Sequence, residues 1–113
     1  MSSCLFCSIV SGDVPAKIIR DDERTLAFRD INPQAPVHVL VIPKDHHANL
    51  SEASADPELL AAMASTAHQV AIDEGIAESG FRVVFNTGPD AGQTVFHVHA
   101  HLLGGRSLGW PPG

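Results

Sequence analysis

The 113-residue chain is 44% hydrophobic, enough for one folded domain with a modest core. Its formal net charge of -6, with only 18% charged residues, lacks the basic footprint of a nucleic-acid-binding protein. No apolar run approaches the roughly 18 residues that span a bilayer, and the start MSSCLFCSIVSGDVP has no signal-peptide pattern, so neither a membrane nor a nucleic acid is an expected partner.

Only Cys4 and Cys7 are cysteines, which makes no disulfide framework and points to a cytoplasmic address. Residues 5–11 read as a short helical turn, stopped by Gly12 and Pro15. Lys17 to Arg20 and Thr25 to Asp30 read as paired strands around the polar turn Asp21-Asp22-Glu23. Ile31 to Pro36 is a Pro-punctuated connection. Val37 to Ile42 is a strong strand, with His38, Leu40 and Ile42 on one face and Val37, Val39 and Val41 on the other. Lys44 to Asn49 is a polar loop containing His46 and His47.

Asp56-Pro57-Glu58 is a helix start: Asp56 can cap, proline suits the first helical position, and Glu58 suits the positive helix end. Apolar residues recur at helical spacing from Leu59 to Ala71, predicting one long helix over 57–74. His68 within it reads as solvent-facing. FRVVFN, 81–86, is the next strand, and TGPDAGQ, 87–93, is a turn-rich loop. A last strand is expected over 94–103, ended by Gly104-Gly105. With no repeat or linker, residues 1–113 form a single α+β domain: a mainly antiparallel sheet of about five strands, one long helix and a short N-terminal helix.

The last strand carries the chemistry. In Phe96-His97-Val98-His99-Ala100-His101-Leu102-Leu103 the histidines alternate, which on a strand places them on one face about 6.6–6.8 Å apart. Phe96, Val98, Ala100 and Leu102 then face the core. Three readings are open. The histidines can simply face solvent. They can share a catalytic metal, although no carboxylate lies within the triplet to orient the rings. Or they can work on a phosphate, with the central His99 best placed for attack and its neighbours binding oxygens and protonating the leaving group. The loop before them offers backbone amides, the Gln93 amide and the Thr94 hydroxyl to the same anion. Asp30 is either a turn-capping carboxylate or an acceptor for ribose hydroxyls. Cys4-x-x-Cys7 is a redox pair, two core cysteines, or half of a Cys2His2 zinc site drawing on His46, His47, His68 or His97.

Taken together these stretches resemble the histidine triad (HIT) superfamily. The motif His-φ-His-φ-His-φ-φ stands as His97-Val98-His99-Ala100-His101-Leu102-Leu103. The likeness extends to CLFCSIVSGDVPAKII, AFRDINPQAPVHVLVIPKDHH, FRVVFNTGPDAGQTVFHVHAHLLGGR and WPPG, nearly the whole chain. It is strongest to the histidine triad nucleotide-binding, purine nucleoside phosphoramidase branch. That resemblance implies a HIT-like fold and a homodimer with one sheet continuous across it. It implies hydrolysis of nucleoside phosphoramidates and related nucleoside monophosphate derivatives, purines preferred, through a nucleotidyl-histidine intermediate.

By the same resemblance His99 is the nucleophile, His101 contacts phosphate or leaving group, and His97 and His38 support the network. Asp30 holds the ribose, Ile31 lines the base pocket, and Asn86, Gln93 and Thr94 surround the phosphate, Thr94 standing where serine is more usual. His101 argues for hydrolysis, because relatives that transfer nucleotidyl groups to sugar phosphates carry glutamine there. The tail Trp110-Pro111-Pro112-Gly113 approaches the partner's active site in that branch. No cofactor is required for catalysis. A structural zinc is implied at Cys4, Cys7, His46 and His97, with His47 competing for the third place. The alternatives are a dinucleoside polyphosphate hydrolase of the same superfamily, a metal-dependent hydrolase centred on the three histidines, and a non-catalytic nucleotide sensor.

Overall fold

The computed structural model describes residues 3–113. The chain begins with α1 (Leu5–Ser11), where Cys4 caps the helix by accepting from Cys7 N–H through its sulfur and Gly12 ends it at φ 87°. Strands β1 (Ile18–Asp21), β2 (Thr25–Arg29) and β3 (Val37–Pro43) follow. A short helix α2 (Leu50–Ala53) precedes α3 (Pro57–Asp73). The chain closes with β4 (Phe81–Val84), a single 3-10 turn at Pro89–Ala91, and β5 (Ala100–Gly104). The five strands form one antiparallel sheet in the order β1-β2-β3-β5-β4.

Strand alternation divides the core in two. Ala27, Val39, Val41, Ala100 and Leu102 face one way and pack against Leu59, Met63, Ala67, Val70 and Ala71 of α3. Leu26, Phe28, Leu40 and Ile42 face the other way, under Phe6 and Ile9 of α1. The sheet is thus covered by the long helix on one face and, on the other, by about two turns of N-terminal helix. The lighter cover leaves part of that second face open, and the histidines gather there.

Helix α3 starts as its composition requires. Asp56 accepts from Leu59 N–H at 3.1 Å, and Arg24 Nη2 reaches the same carboxylate at 2.8 Å. On the helix side Thr25 and Thr66 join strand to helix through a buried 2.7 Å hydroxyl pair, and Thr66 in turn donates to Asp22. Both hydroxyls are therefore satisfied where an unpaired one would be costly.

Two expected strands are shorter than their sequence pattern predicts. Strand β4 stops at Val84, so Phe85 and Asn86 lie beyond it. The histidine strand, expected over 94–103, is regular only over Ala100–Gly104. The β3–β5 ladder ends at the pair Val41↔Ala100. Pro43 has no N–H with which to extend it, and its carbonyl is taken by the His97 ring. Residues 94–99 are instead tied sideways to the 47–48 segment: Val98 N–H donates to His47 O at 2.7 Å, and Gln93 Nε2 to Ala48 O at 2.8 Å. Val98 still reaches the core at 2% exposure, but Phe96 is 63% exposed and its expected core position is corrected. Leu102→Ala removes a fully buried side chain and is expected to lower the unfolding free energy by about 2–5 kcal/mol in urea denaturation. Phe96→Ala is expected to change it by less than about 0.5 kcal/mol.

Candidate active site and metal-ligand cluster

The three histidines do not share one strand face. His97 turns inward and is fully buried, His99 and His101 face a cavity of ≈ 300 Å³, and only His101 stands on a regular strand. The departure from strand geometry at 94–99 allows this split, because an unbroken period of two would have pointed all three the same way. Among the described residues no potential metal-ligand group contains all three, so a metal bound by the whole triplet is not what this fold builds.

His97 joins the N-terminus. Its Nδ1 lies 3.4 Å from Cys4 Sγ, 3.5 Å from Cys7 Sγ and 3.3 Å from His46 Nδ1, and His46 Nδ1 is 3.3 Å from Cys7 Sγ. Tetrahedral zinc, with Zn–S of about 2.3 Å and Zn–N of about 2.0–2.1 Å, sets S···N separations of about 3.5 Å and N···N separations of about 3.3 Å. The four donors therefore stand where a tetrahedral ion would hold them. Proton placement agrees. His97 Nε2 is 2.8 Å from the Pro43 carbonyl, which only accepts, so Nε2 carries the hydrogen and Nδ1 turns its lone pair to the cluster. Burial also holds the His97 pKa below its usual value, favouring the neutral ring. His46 fills the position for which His47 competed; His47 contributes its main-chain carbonyl to Val98 instead.

The same reasoning assigns protons to the other rings. His99 Nδ1 is 2.8 Å from the His97 carbonyl and must donate to it, so its Nε2 keeps a lone pair. Gln34 N–H donates to His38 Nδ1 at 3.0 Å, so the hydrogen of His38 sits on Nε2. That Nε2–H faces His101 Nδ1 at 2.9 Å and Asp30 Oδ2 at 3.3 Å. His101 Nδ1 accepts, which leaves its own hydrogen on Nε2. The His99 and His101 rings lie 4.9 Å apart, centre to centre. One thus presents a nucleophilic nitrogen and the other a proton donor. Asp30, His38 and His101 also lie close enough together to hold a cation, but the Gln34 amide occupies the nitrogen that a metal-bound His38 would need to protonate. These three form a hydrogen-bond relay.

The cavity has an apolar floor of Phe6, Ile9, Val14, Phe28, Leu40 and Val95. Its polar wall is Asp30, Thr94, His99 and His101, with fully exposed Ile31 on the rim. Asp30 is also a turn carboxylate, since its Oδ1 accepts from Asn32 N–H at 2.8 Å. Gln93 is placed differently from the cavity wall. It is buried, its Nε2 donates to Ala48 O and Val95 O, and its Oε1 accepts from Gly88 N–H, so its amide welds the loop together. Asn86 follows β4 and is not among the cavity-lining residues.

Phe6 was not legible as a site residue, yet its ring meets His99 edge-on at 5.0 Å and His97 at 6.0 Å. Its only sequence signal is the Phe6/Ile9 spacing of an amphipathic turn. Gln34 and Pro43 act through main-chain groups, which no side-chain pattern reveals.

Comparison with known proteins agrees with this geometry. Residues 11–108 match the HIT domain. An uncharacterised HIT-like protein of Synechococcus elongatus is 54% identical over 96% of each chain. The adenylylsulfatase HINT1 of Arabidopsis thaliana is 47% identical, covering 99% of this chain and 78% of its own. Among solved structures, a HIT family hydrolase from Legionella pneumophila superposes with a TM-score of 0.95 at 50% identity, covering 98% of this chain and all of its own. A zinc-bound histidine triad family protein from Mycobacterium smegmatis gives 0.81 at 43% identity, covering 92% and 76%. The chain belongs to the HIT family.

Burial first, then the neighbouring His99 and His38, push the His101 pKa down to about 4 from 6.5, against the opposing pull of Asp30. A histidine held neutral in the fold binds its proton only after unfolding. Its contribution to stability is complete above pH 6.5 and is lost as pH falls toward 4, roughly 3 kcal/mol in all. Urea unfolding across that window is expected to show a shallower pH slope for His101→Gln than for the wild type; equal slopes would contradict the assignment.

Proposed function

We propose that the protein is a nucleotide hydrolase that cleaves nucleoside phosphoramidates and related nucleoside monophosphate derivatives through a covalent intermediate on His99. The observation that carries this reading is the pair of opposite nitrogens: His99 Nε2, its lone pair freed by the bond to the His97 carbonyl, beside His101 Nε2–H. The names of relatives point the same way, one being a HIT family hydrolase and another an adenylylsulfatase, an enzyme of a nucleotide derivative.

In the first step His99 Nε2 bonds to the α-phosphorus and the bond to the leaving nitrogen breaks. The leaving nitrogen takes the bond's electron pair and the proton held at His101 Nε2, and His101 Nε2 regains a proton from solvent as the amine departs. The His99 ring, now substituted at Nε2 and still protonated at Nδ1, is cationic, and the His97 carbonyl stabilises it. In the second step water attacks phosphorus, the pair of the P–Nε2 bond returns to His99, and the water's proton passes to solvent. Asp30 at the cavity mouth accepts from ribose hydroxyls, and the apolar floor and Ile31 take the base, with purines preferred for their larger stacking face. Thr94 offers its hydroxyl to the phosphate. Gln93 supports that loop from within, and Asn86 serves from outside the cavity wall. His97 and His38 position the reacting pair.

Zinc is the proposed ion at Cys4, Cys7, His46 and His97, as the zinc-bound relative supports. When bound, it would tie the start of α1 to His46 and His97. The functional unit is a homodimer. Edge strand β4 exposes Phe81 and Val83 beside an almost wholly apolar groove on α3, and pairing two such edges would continue the sheet and cover the groove. In that arrangement Trp110 to Gly113 reaches toward the partner's site.

His99→Ala is expected to reduce turnover of an adenosine phosphoramidate by at least about 10³-fold while folding is retained. Rapid quench with labelled substrate is expected to trap label on His99 of the wild type; unlabelled enzyme during turnover would exclude the covalent route. Elemental analysis is expected to find about one zinc per chain in the wild type and in His47→Ala, and little in His46→Ala.

A further inference from the structure

The proton on His38 is fixed from outside the cavity. His38 Nδ1 accepts from Gln34 N–H at 3.0 Å. Gln34 lies in an exposed loop between Pro33 and Pro36, and its side chain only reaches back to Asn32 O. Its carbonyl, however, accepts from Arg106 Nη2 at 2.9 Å, across 72 residues of sequence. The turn after β5 that carries Arg106 is pressed onto the same loop. Gly105 has φ 90°, and a Cβ there would stand 2.9 Å from Pro36 Cβ. Arg106 and Gly105 thus hold the Gln34 loop against β3 from one side.

We infer that Arg106 is a positioning residue for the active site: by holding Gln34 it sets the tautomer of His38 and hence which nitrogen of His101 carries the proton facing the cavity. The chemistry follows from the chain of contacts. If Gln34 N–H moves away, the hydrogen on His38 Nε2 is held only from its own side, by Asp30 and His101, and the population protonated at Nδ1 rises. A hydrogen there puts the His38 Nε2 lone pair against His101 Nδ1, 2.9 Å away, and against the Asp30 carboxylate. His101 then keeps its hydrogen on Nδ1 and turns a lone pair to the cavity. Two imidazole lone pairs, on His99 and His101, would face the anionic phosphate, and the leaving group would lose its donor. Among the described residues Arg106 reaches no carboxylate within salt-bridge distance; its guanidinium donates to the main-chain carbonyls of Gln34 and Ser107. Its role is thus to hold the turn and loop together.

The kinetic consequence rests on the hydrolytic reading above, whereas the tautomer does not, so the two are tested separately. Nitrogen-15 NMR of the histidine rings in the ligand-free protein is expected to show His38 and His101 both protonated at Nε2. In Arg106→Ala a His38 population protonated at Nδ1 is expected to appear. With an adenosine phosphoramidate, kcat is expected to fall about three- to tenfold with KM within about twofold, because the proton on His101 acts on the leaving group and not on binding. Arg106→Lys, which keeps a charged donor, is expected to recover most of both signals. His38 fully protonated at Nε2 in Arg106→Ala, or at Nδ1 in the wild type, would overturn the inference. Absence of wild-type turnover would count against the hydrolytic reading alone, since the NMR result still judges the positioning role.

Discussion

The arrangement depends on the hydrogen bond from His97 Nε2 to the Pro43 carbonyl. It fixes the ring of a fully buried histidine with its other nitrogen toward Cys4, Cys7 and His46. It also places the His97 carbonyl where His99 must donate to it. One residue thus serves two sites, through its ring on one side and its main chain on the other. A neutral imidazole has one donor and one acceptor nitrogen, so fixing either determines the other. From that rule alone the metal cluster gains a lone pair and the cavity gains another.

The second face of the sheet makes this possible. Helix α3 covers the first face with a continuous apolar stripe, whereas α1 covers the second with Phe6 and Ile9, flanked by half-buried Val10. A light cover leaves room for a cavity, but it needs anchoring. The cysteines at the start of α1 provide it, and a metal there would join the helix to His46 and His97 in a domain whose core is small. Phe6 lies edge-on to His99, so anchoring the helix also limits the His99 ring.

Two hydrogen-bonded chains meet at His99 and His101. One runs from Pro43 through His97 to His99, the other from Arg106 through Gln34 and His38 to His101. The first takes its direction from the Pro43 carbonyl and the second from the Gln34 amide, peptide groups whose donor or acceptor character is invariant, and each ends by specifying a proton on an imidazole, whose character is not. Burial lowers the pKa of His97, His99 and His101, keeping the rings neutral so that these assignments persist.

Much of this was legible in the sequence. Strand alternation in VHVLVI sorted Leu40 and Ile42 from Val39 and Val41, and the structure divides its two cores along that line. Asp56-Pro57 marked the start of α3 through local capping chemistry. The spacing Cys4-x-x-Cys7 and the three histidines marked the chemistry-bearing segments, because residue type alone limits what can bind a metal or attack phosphorus. Local sequence could not say that the histidine strand would break at residue 100. The break comes from Pro43 on the neighbouring strand and from bonds to the 47–48 segment, both distant in the chain. Nor could it choose between His46 and His47, adjacent residues of one type, since the loop's path decides which ring reaches His97. The proton positions belong wholly to the tertiary structure. They are set by the carbonyls of Pro43 and His97 and the amide of Gln34, groups that every residue carries and that acquire meaning only by where the fold puts them.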